Sequence, residues 1–155
     1  MDLKLFEVSI VIVGNDCNPT ILNPDFLASQ KIVPEAWGWQ VVGAPITTPP
    51  FATAAYDSGV AITVDTSKVQ VVGVWQDDHT CGSVAHIARR YVEVLPHVRY
   101  TGVGNNFRGL SENDDAETFL KNRFLKPGAW DSDANSIAAA AIKFIYSRPG
   151  ARLSL

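Results

Sequence analysis

The stretch Ser83–Gly109, SVAHIARRYVEVLPHVRYTGVGNNFRG, limits the possible folds more than any other part of the chain. Val84, Ile87, Ala88, Tyr91, Val94 and Leu95 recur at steps of three and four, which predicts one apolar stripe on a helix. His86, Arg89, Arg90 and Glu93 fall on the opposite, wet side. Pro96 ends the helix, because it has no amide donor and pushes its predecessor out of the α region. Val98 to Val103 then reads as a strand, with Val98 and Tyr100 on one face. A helix over 83–95 running straight into a strand marks the seam between a helical layer and a sheet.

The segments before the seam supply that sheet. Phe6, Val8, Ile10 and Ile12 point one way and Leu5, Val11 and Val13 the other, which predicts an interior strand over 4–13. Asn23-Pro24-Asp25 combines a cap, a first-turn proline and an acid at the positive end of the dipole, so a short helix is expected over 24–30. Trp37, Trp39 and Val41 alternate as a strand running to Ile46, and Thr47-Thr48-Pro49-Pro50 interrupts it as a bulge, corner or edge. Strands over 51–56, 60–64 and 69–75, joined by turns at Asp57-Ser58-Gly59 and Asp65–Lys68, make an antiparallel meander. Asp77-Asp78-His79-Thr80-Cys81 reads as a solvated turn, with Thr80 or Ser83 capping the helix that follows.

Beyond the seam, Asp114 with Glu117 three residues later has capping-box spacing for a helix through Ala116, Phe119, Leu120 and Phe124. Lys121, Arg123 and Lys126 load its C-terminal end, and Pro127-Gly128 ends it. Ser136–Tyr146 is read as a strand, turning at Arg148-Pro149-Gly150 into a final segment. That segment either closes the sheet as a short strand or continues into a longer protein. The order of elements predicts a single α+β domain over 1–155: a mostly antiparallel, curved sheet of about seven strands with two main helices on one face.

Composition narrows the function classes. A chain of 155 residues, 46% apolar and 19% charged, can build an ordinary core. A net charge of −3 gives no electrostatic case for nucleic acid, although an average can hide a small basic patch. No apolar run approaches the ~20 residues of a membrane span, and the N-terminus lacks a basic region ahead of a long apolar stretch. Two cysteines, Cys17 and Cys81, are too few for a disulfide scaffold, so a reduced, cytoplasmic protein is expected.

Candidate chemistry is sparse. Gly102-Val103-Gly104 lacks the third glycine of a dinucleotide fingerprint and follows a helix instead of opening one. Asp77, Asp78, His79 and Cys81 crowd one short segment, where adjacent side chains do not converge on one ion. His79, His86 and His97 have no nucleophile elbow or family cysteine motif to serve. His97 complements a helix end, and Asp131 and Asp133 read as turn formers. No catalytic residue, metal or cofactor is assigned, and the balance is against an enzyme.

The segments NPTILNPDFL at 18–27, ITTPPFATAAYDSGVAITV at 46–64 and LPHVRYTGVGNNF at 95–107 resemble a family of uncharacterised bacterial proteins. Its pattern has an Ile-Leu-Asn-Pro-Asp-Phe-Leu start, a Thr-Pro-x-Phe strand entry and a Pro-His-x-x-Tyr strand ending in Asn-Phe. The resemblance implies a bacterial or phage origin and a compact single domain, and it carries no activity.

Two functional readings follow from the residues. The first is a non-enzymatic, cytoplasmic interaction or assembly protein, joined to a protein partner or to further copies of itself. Strand edges that need cover support it, and so does the outer sheet face at Val11 and Val13, which two helices on one side cannot reach. The second is a small-molecule binding domain or enzyme with a pocket between the sheet and the 83–95 helix. Trp37, Trp39 and Tyr91 would line that pocket, with Arg99 or Asn106 supplying polarity.

Overall fold

Strand β1 (Leu3–Asn15) is interior, as its two apolar faces predict, and the larger of two compact units, Leu3–Leu110, is assembled around it. The structure, a computed structural model, describes residues 3–112, 115–126, 128 and 141–154. In the larger unit β2 (Val41–Thr47), β3 (Phe51–Tyr56), β4 (Val60–Asp65), β5 (Lys68–Val74) and β6 (Arg99–Ser111) join β1 in one open antiparallel sheet, in the order β2-β3-β4-β5-β1-β6. The meander from β2 to β5 is the expected one. Gly59 takes φ 78 in the β3–β4 turn, and Asp65 accepts the amides of Ser67 (2.7 Å) and Lys68 (2.9 Å) in the β4–β5 turn.

β1 pairs with β5 in a register that sets Val8 opposite Gly73, Ile10 opposite Val71 and Ile12 opposite Val69. These residues share the inner face with Val60, Ile62 and Val64 of β4 and with Ala52, Ala54 and Tyr56 of β3. Burying each of the valines and isoleucines among them, half-buried Ile10 excepted, contributes about 1.5–3 kcal/mol. The outer face carries Glu7, Ser9, Val11 and Val13 of β1 beside Val74, Val72, Gln70 and Lys68. There Val11 is half-buried and Val13 is 44% exposed.

The inner face is covered unevenly. Helix α1 (Pro24–Ser29) starts as predicted, with the Asn23 side chain accepting the Phe26 amide at 2.8 Å. Its neighbourhood buries Leu22, Leu27, Ile32 and Val33, and the 3₁₀ turn Pro19–Ile21 packs on β2 and β3. Helix α2 (Asp78–Val94) lies over β5 and β1, burying Val84, Ile87, Ala88 and Tyr91. It begins earlier than expected, because Asp77 is extended (φ −160) and its carboxylate accepts the His79 amide at 2.9 Å. Asp78–Cys81 are therefore helical and not a turn, and neither Thr80 nor Ser83 is the cap.

Two further expectations need correction. Trp37 closes a 3₁₀ turn, Glu35–Trp37, and Trp39 is in irregular chain; neither belongs to a strand. Gly38 in the left-handed region (φ 69) reverses the chain between them and breaks the apparent alternation. β2 is likewise interrupted between Val42 and Ile46, where Gly43 takes φ 71 ahead of Pro45. His86 is not on the wet side. It is half-buried against Trp37, with ring centroids 5.1 Å apart and its Nε2 3.3 Å from the Lys31 carbonyl.

The second unit takes in the described residues from Ser111 onward. Helix α3 (Ala116–Phe124) is capped by Asp115, whose carboxylate accepts the Thr118 amide at 2.9 Å; Asp114 lies outside the described residues. Phe124 sits between Phe119 (6.3 Å) and Phe144 (5.9 Å). β7 (Ile145–Arg148) and β8 (Ala151–Ser154) form a hairpin through Gly150 at φ 71. Of the strand expected over 136–146, residues 136–140 lie outside the described residues, 141–144 are irregular, and only Ile145 and Tyr146 are extended. The last strand pairs with β7 and does not join the six-stranded sheet. The sheet beneath the first helical layer thus has six strands, the hairpin holds two more, and α3 belongs to the second unit. No helix among the described residues is long and apolar enough to cross a membrane.

Candidate functional site

Because α2 is seated over β5 and β1, it leaves the inner face of β6 uncovered, and a groove of about 480 Å³ opens there. Ile10 and Ile12 of β1 form its floor, Ala85, Ala88 and Val92 of α2 one wall, and Tyr100, Gly102 and Val103 of β6 the other. Arg89, Glu93 and Asn105 stand at the polar rim. Arg89 Nε is 3.4 Å from Glu93 Oε1, so the two rim charges are already paired one turn apart.

Tyr100 is fixed at the mouth by its hydroxyl, which donates to the Leu95 carbonyl at 3.1 Å. Burial, and then the nearby Cys17, pushes its pKa up to about 12, so at neutral pH it is an uncharged donor. Tyr91 is raised for the same first reason and is 1% exposed. Burial also raises the Cys17 thiol, which makes it a poor nucleophile at neutral pH. The arrangement holds apolar matter well and offers no nucleophile poised beside a base.

β6 itself is exposed along nearly its whole length, and among the described residues no strand pairs its second edge. Val103 (66% exposed), Phe107 (59%) and Leu110 (65%) are bare on it. The opposite edge differs. β2 carries a bulge, Pro45 and the Pro49-Pro50 turn, features that prevent further strand pairing. β6 has no proline, and its two charges are Arg99 and Arg108. Arg108 is folded back over β1, 3.4 Å from Glu7 and 5.9 Å from the centre of the Phe6 ring.

The residues expected to line a pocket are dispersed. Trp37 and Trp39 are brought together, ring centroids 4.6 Å apart, but they pack on His86 and Tyr56 beside β3, away from the groove. Tyr91 is sealed in the core. Arg99 is exposed near the start of β6, and Asn106 faces the outer side, its amide donating to the Ser9 hydroxyl at 3.5 Å. None of the five lines the groove. The groove does lie between the sheet and the predicted helix, and a signal for its wall was present: Ala85, Ala88 and Val92 form a second apolar row beside the core stripe, wider than burial on one sheet requires. Comparison with protein-family models, with curated proteins and with solved structures finds no match.

Proposed function

We infer that this chain is a non-enzymatic interaction or assembly domain that binds an extended polypeptide segment as a seventh strand along β6, with alternate side chains entering the groove beside α2. The observation that carries this reading is the contrast between the two sheet edges. β2 is blunted, whereas β6 is long, free of proline and flanked by an apolar groove of about 480 Å³. Strand addition draws affinity from main-chain hydrogen bonds and specificity from the pockets that receive alternate residues. The free thiols of Cys17 and Cys81 accord with a reducing cytoplasm. Panning a random peptide library against the protein tests the reading. Selected peptides should alternate apolar and polar residues and shift amide resonances of β6 and of Ala85–Val92. Peptides that map elsewhere, or no selection at all, would overturn it.

A second reading has one specific observation behind it. The groove falls within the ~300–1,000 Å³ of small-molecule sites and is almost wholly apolar. An aliphatic or aromatic ligand bound there would raise Tm with concentration. The same shift in an Ala85→Trp variant, whose ring would occupy the groove from an exposed wall position, would count against that site.

A further inference from the structure

We propose that the segment added to β6 is β6 of a second copy, running antiparallel about a two-fold axis through Asn105. This rests on the strand-addition reading above.

Side-chain direction comes first. Ser9 and Glu7 face outward, so their contacts with Asn106 (3.5 Å) and Arg108 (3.4 Å) place those even-numbered residues on the outer face. Val103 and Asn105 line the groove on the inner face, and alternation puts Phe107 with them. Val103 and Phe107, two of the three large apolar side chains bared on β6, therefore point the same way, into the space beside α2.

Register follows from pairing them. A two-fold axis normal to the sheet keeps the inner faces continuous and sets a residue of one copy opposite a residue of the same face in the other. Centred on Asn105, it sets Val103 opposite Phe107 of the second copy, twice over, and leaves Arg99 opposite Ser111 and Arg108 opposite Gly102. Centred on Val103, it pairs Val103 with its own counterpart and takes Phe107 away from Val103; centred on Phe107, it pairs Phe107 with its own counterpart and places Val103 against Ser111. Centres on Gly104 or Asn106 set both apolar residues against Asn, Thr or Gly. Tyr100 and Gly102 line the groove as Val103 does, so strict alternation starts at Val103, and within 103–107 the centre on Asn105 is the one that sets the two exposed side chains against each other. It also brings Phe107 of the second copy to the open side of the groove next to Val103, so each copy completes the groove of the other.

The size of the contact sets its strength. Thirteen residues of strand extend about 44 Å, and a sheet edge is about 10 Å thick, so each copy contributes roughly 440 Å². Roughly 900 Å² in total lies below the ~1,200–2,000 Å² of stable complexes, which points to a weak dimer with a Kd on the order of 10–100 µM.

Sedimentation equilibrium from about 5 to 500 µM should show a reversible dimer. In a Cys81→Ser background, Asn105→Cys should cross-link quantitatively on mild oxidation, because Cα atoms opposite each other across antiparallel strands stand ~4.5–5.5 Å apart, inside disulfide range. Thr101→Cys, opposite Gly109, should not. Val103→Lys and Phe107→Glu should each weaken the dimer at least tenfold, and the double variant should recover it, since each new cation would then oppose a carboxylate of the other copy. Both positions are exposed, and circular dichroism verifies that the variants fold. A wild type that is monomeric at 500 µM overturns the proposal, and so does a dimer in which Asn105→Cys cross-links no better than Thr101→Cys. A monomer that still binds selected peptides along β6 overturns the second copy alone; loss of both overturns strand addition itself.

Discussion

Gly73 lies in β5 directly beneath α2, and its replacement by alanine measures how closely that helix is seated. A Cβ built there would meet Val84 Cγ2 at 2.8 Å and Thr80 Cγ2 at 2.9 Å, where carbon atoms normally keep ~3.5–4.0 Å. Both neighbours are β-branched and stiff at χ1, so the overlap cannot be relieved by a swing of a flexible side chain. The helix must lift. Overpacking of this kind costs about 1–3 kcal/mol, offset by about 0.5–1 kcal/mol from removing a glycine inside a strand. The net loss, centred on about 1 kcal/mol, lowers Tm by about 2–4 °C for a chain of this length. Val84→Ala alone loses two core methyl groups and costs about 2–3 kcal/mol with its cavity. In the double variant the new methyl group occupies the space Val84 vacates, so the combined loss should fall short of the sum by at least ~1 kcal/mol. Thermal and urea unfolding of the four proteins gives all the terms. A Gly73→Ala protein as stable as wild type, or strict additivity in the double variant, would show that α2 is not held against β5 as described.

Asp65 is pushed up by burial, but the Ser67 hydroxyl and the Ser67 and Lys68 amides outweigh this and hold its pKa below the usual carboxylate range. Its contribution is therefore present above pH ~4 and disappears as pH falls through the lower folded value; Asp65→Ala should cost about 1 kcal/mol at pH 7 and little at pH 2, by urea unfolding. Tyr100 titrates in the opposite sense: with its pKa raised to about 12, its share of stability is complete below pH ~10 and is lost as pH rises to about 12. Tyr100→Phe should flatten that alkaline loss and remove one late phenol from the absorbance titration; an unchanged alkaline profile would contradict the Tyr100–Leu95 bond as the anchor.

The strands were legible wherever period-two alternation met a turn with its own chemistry, as at Asp57-Ser58-Gly59 and Asp65–Lys68. The core stripe of α2 was legible for the same reason at period 3.6. Trp37 and Trp39 mislead because a 3₁₀ turn ended by a left-handed Gly38 also separates two aromatic residues by one position, and only the backbone distinguishes it from a strand. The cap of α2 was misplaced because Asp77, Asp78, Thr80 and Ser83 are all good cap residues within seven positions, and the choice among them depends on Asp77 being extended. The groove was legible in its place, between sheet and helix, but not in its lining. Which strand α2 leaves uncovered depends on strand order, and nothing in the local pattern of β6 says that it stands at the edge.

The insertion of β1 between β5 and β6 also dictates an order of assembly. The meander from β2 to β5 closes through neighbours in sequence, so it can form without β1. β1 is made before the meander, yet its partner is β5, with Glu7 meeting Val74 and Val13 meeting Lys68. β6 has nowhere to pair until β1 is in place. A strand apolar on both faces must therefore wait, unpaired, while half the chain is synthesised. Capture of this strand by an already closed meander is the expected slow step of folding, and pulse-labelled hydrogen exchange during refolding should then protect β2–β5 before β1.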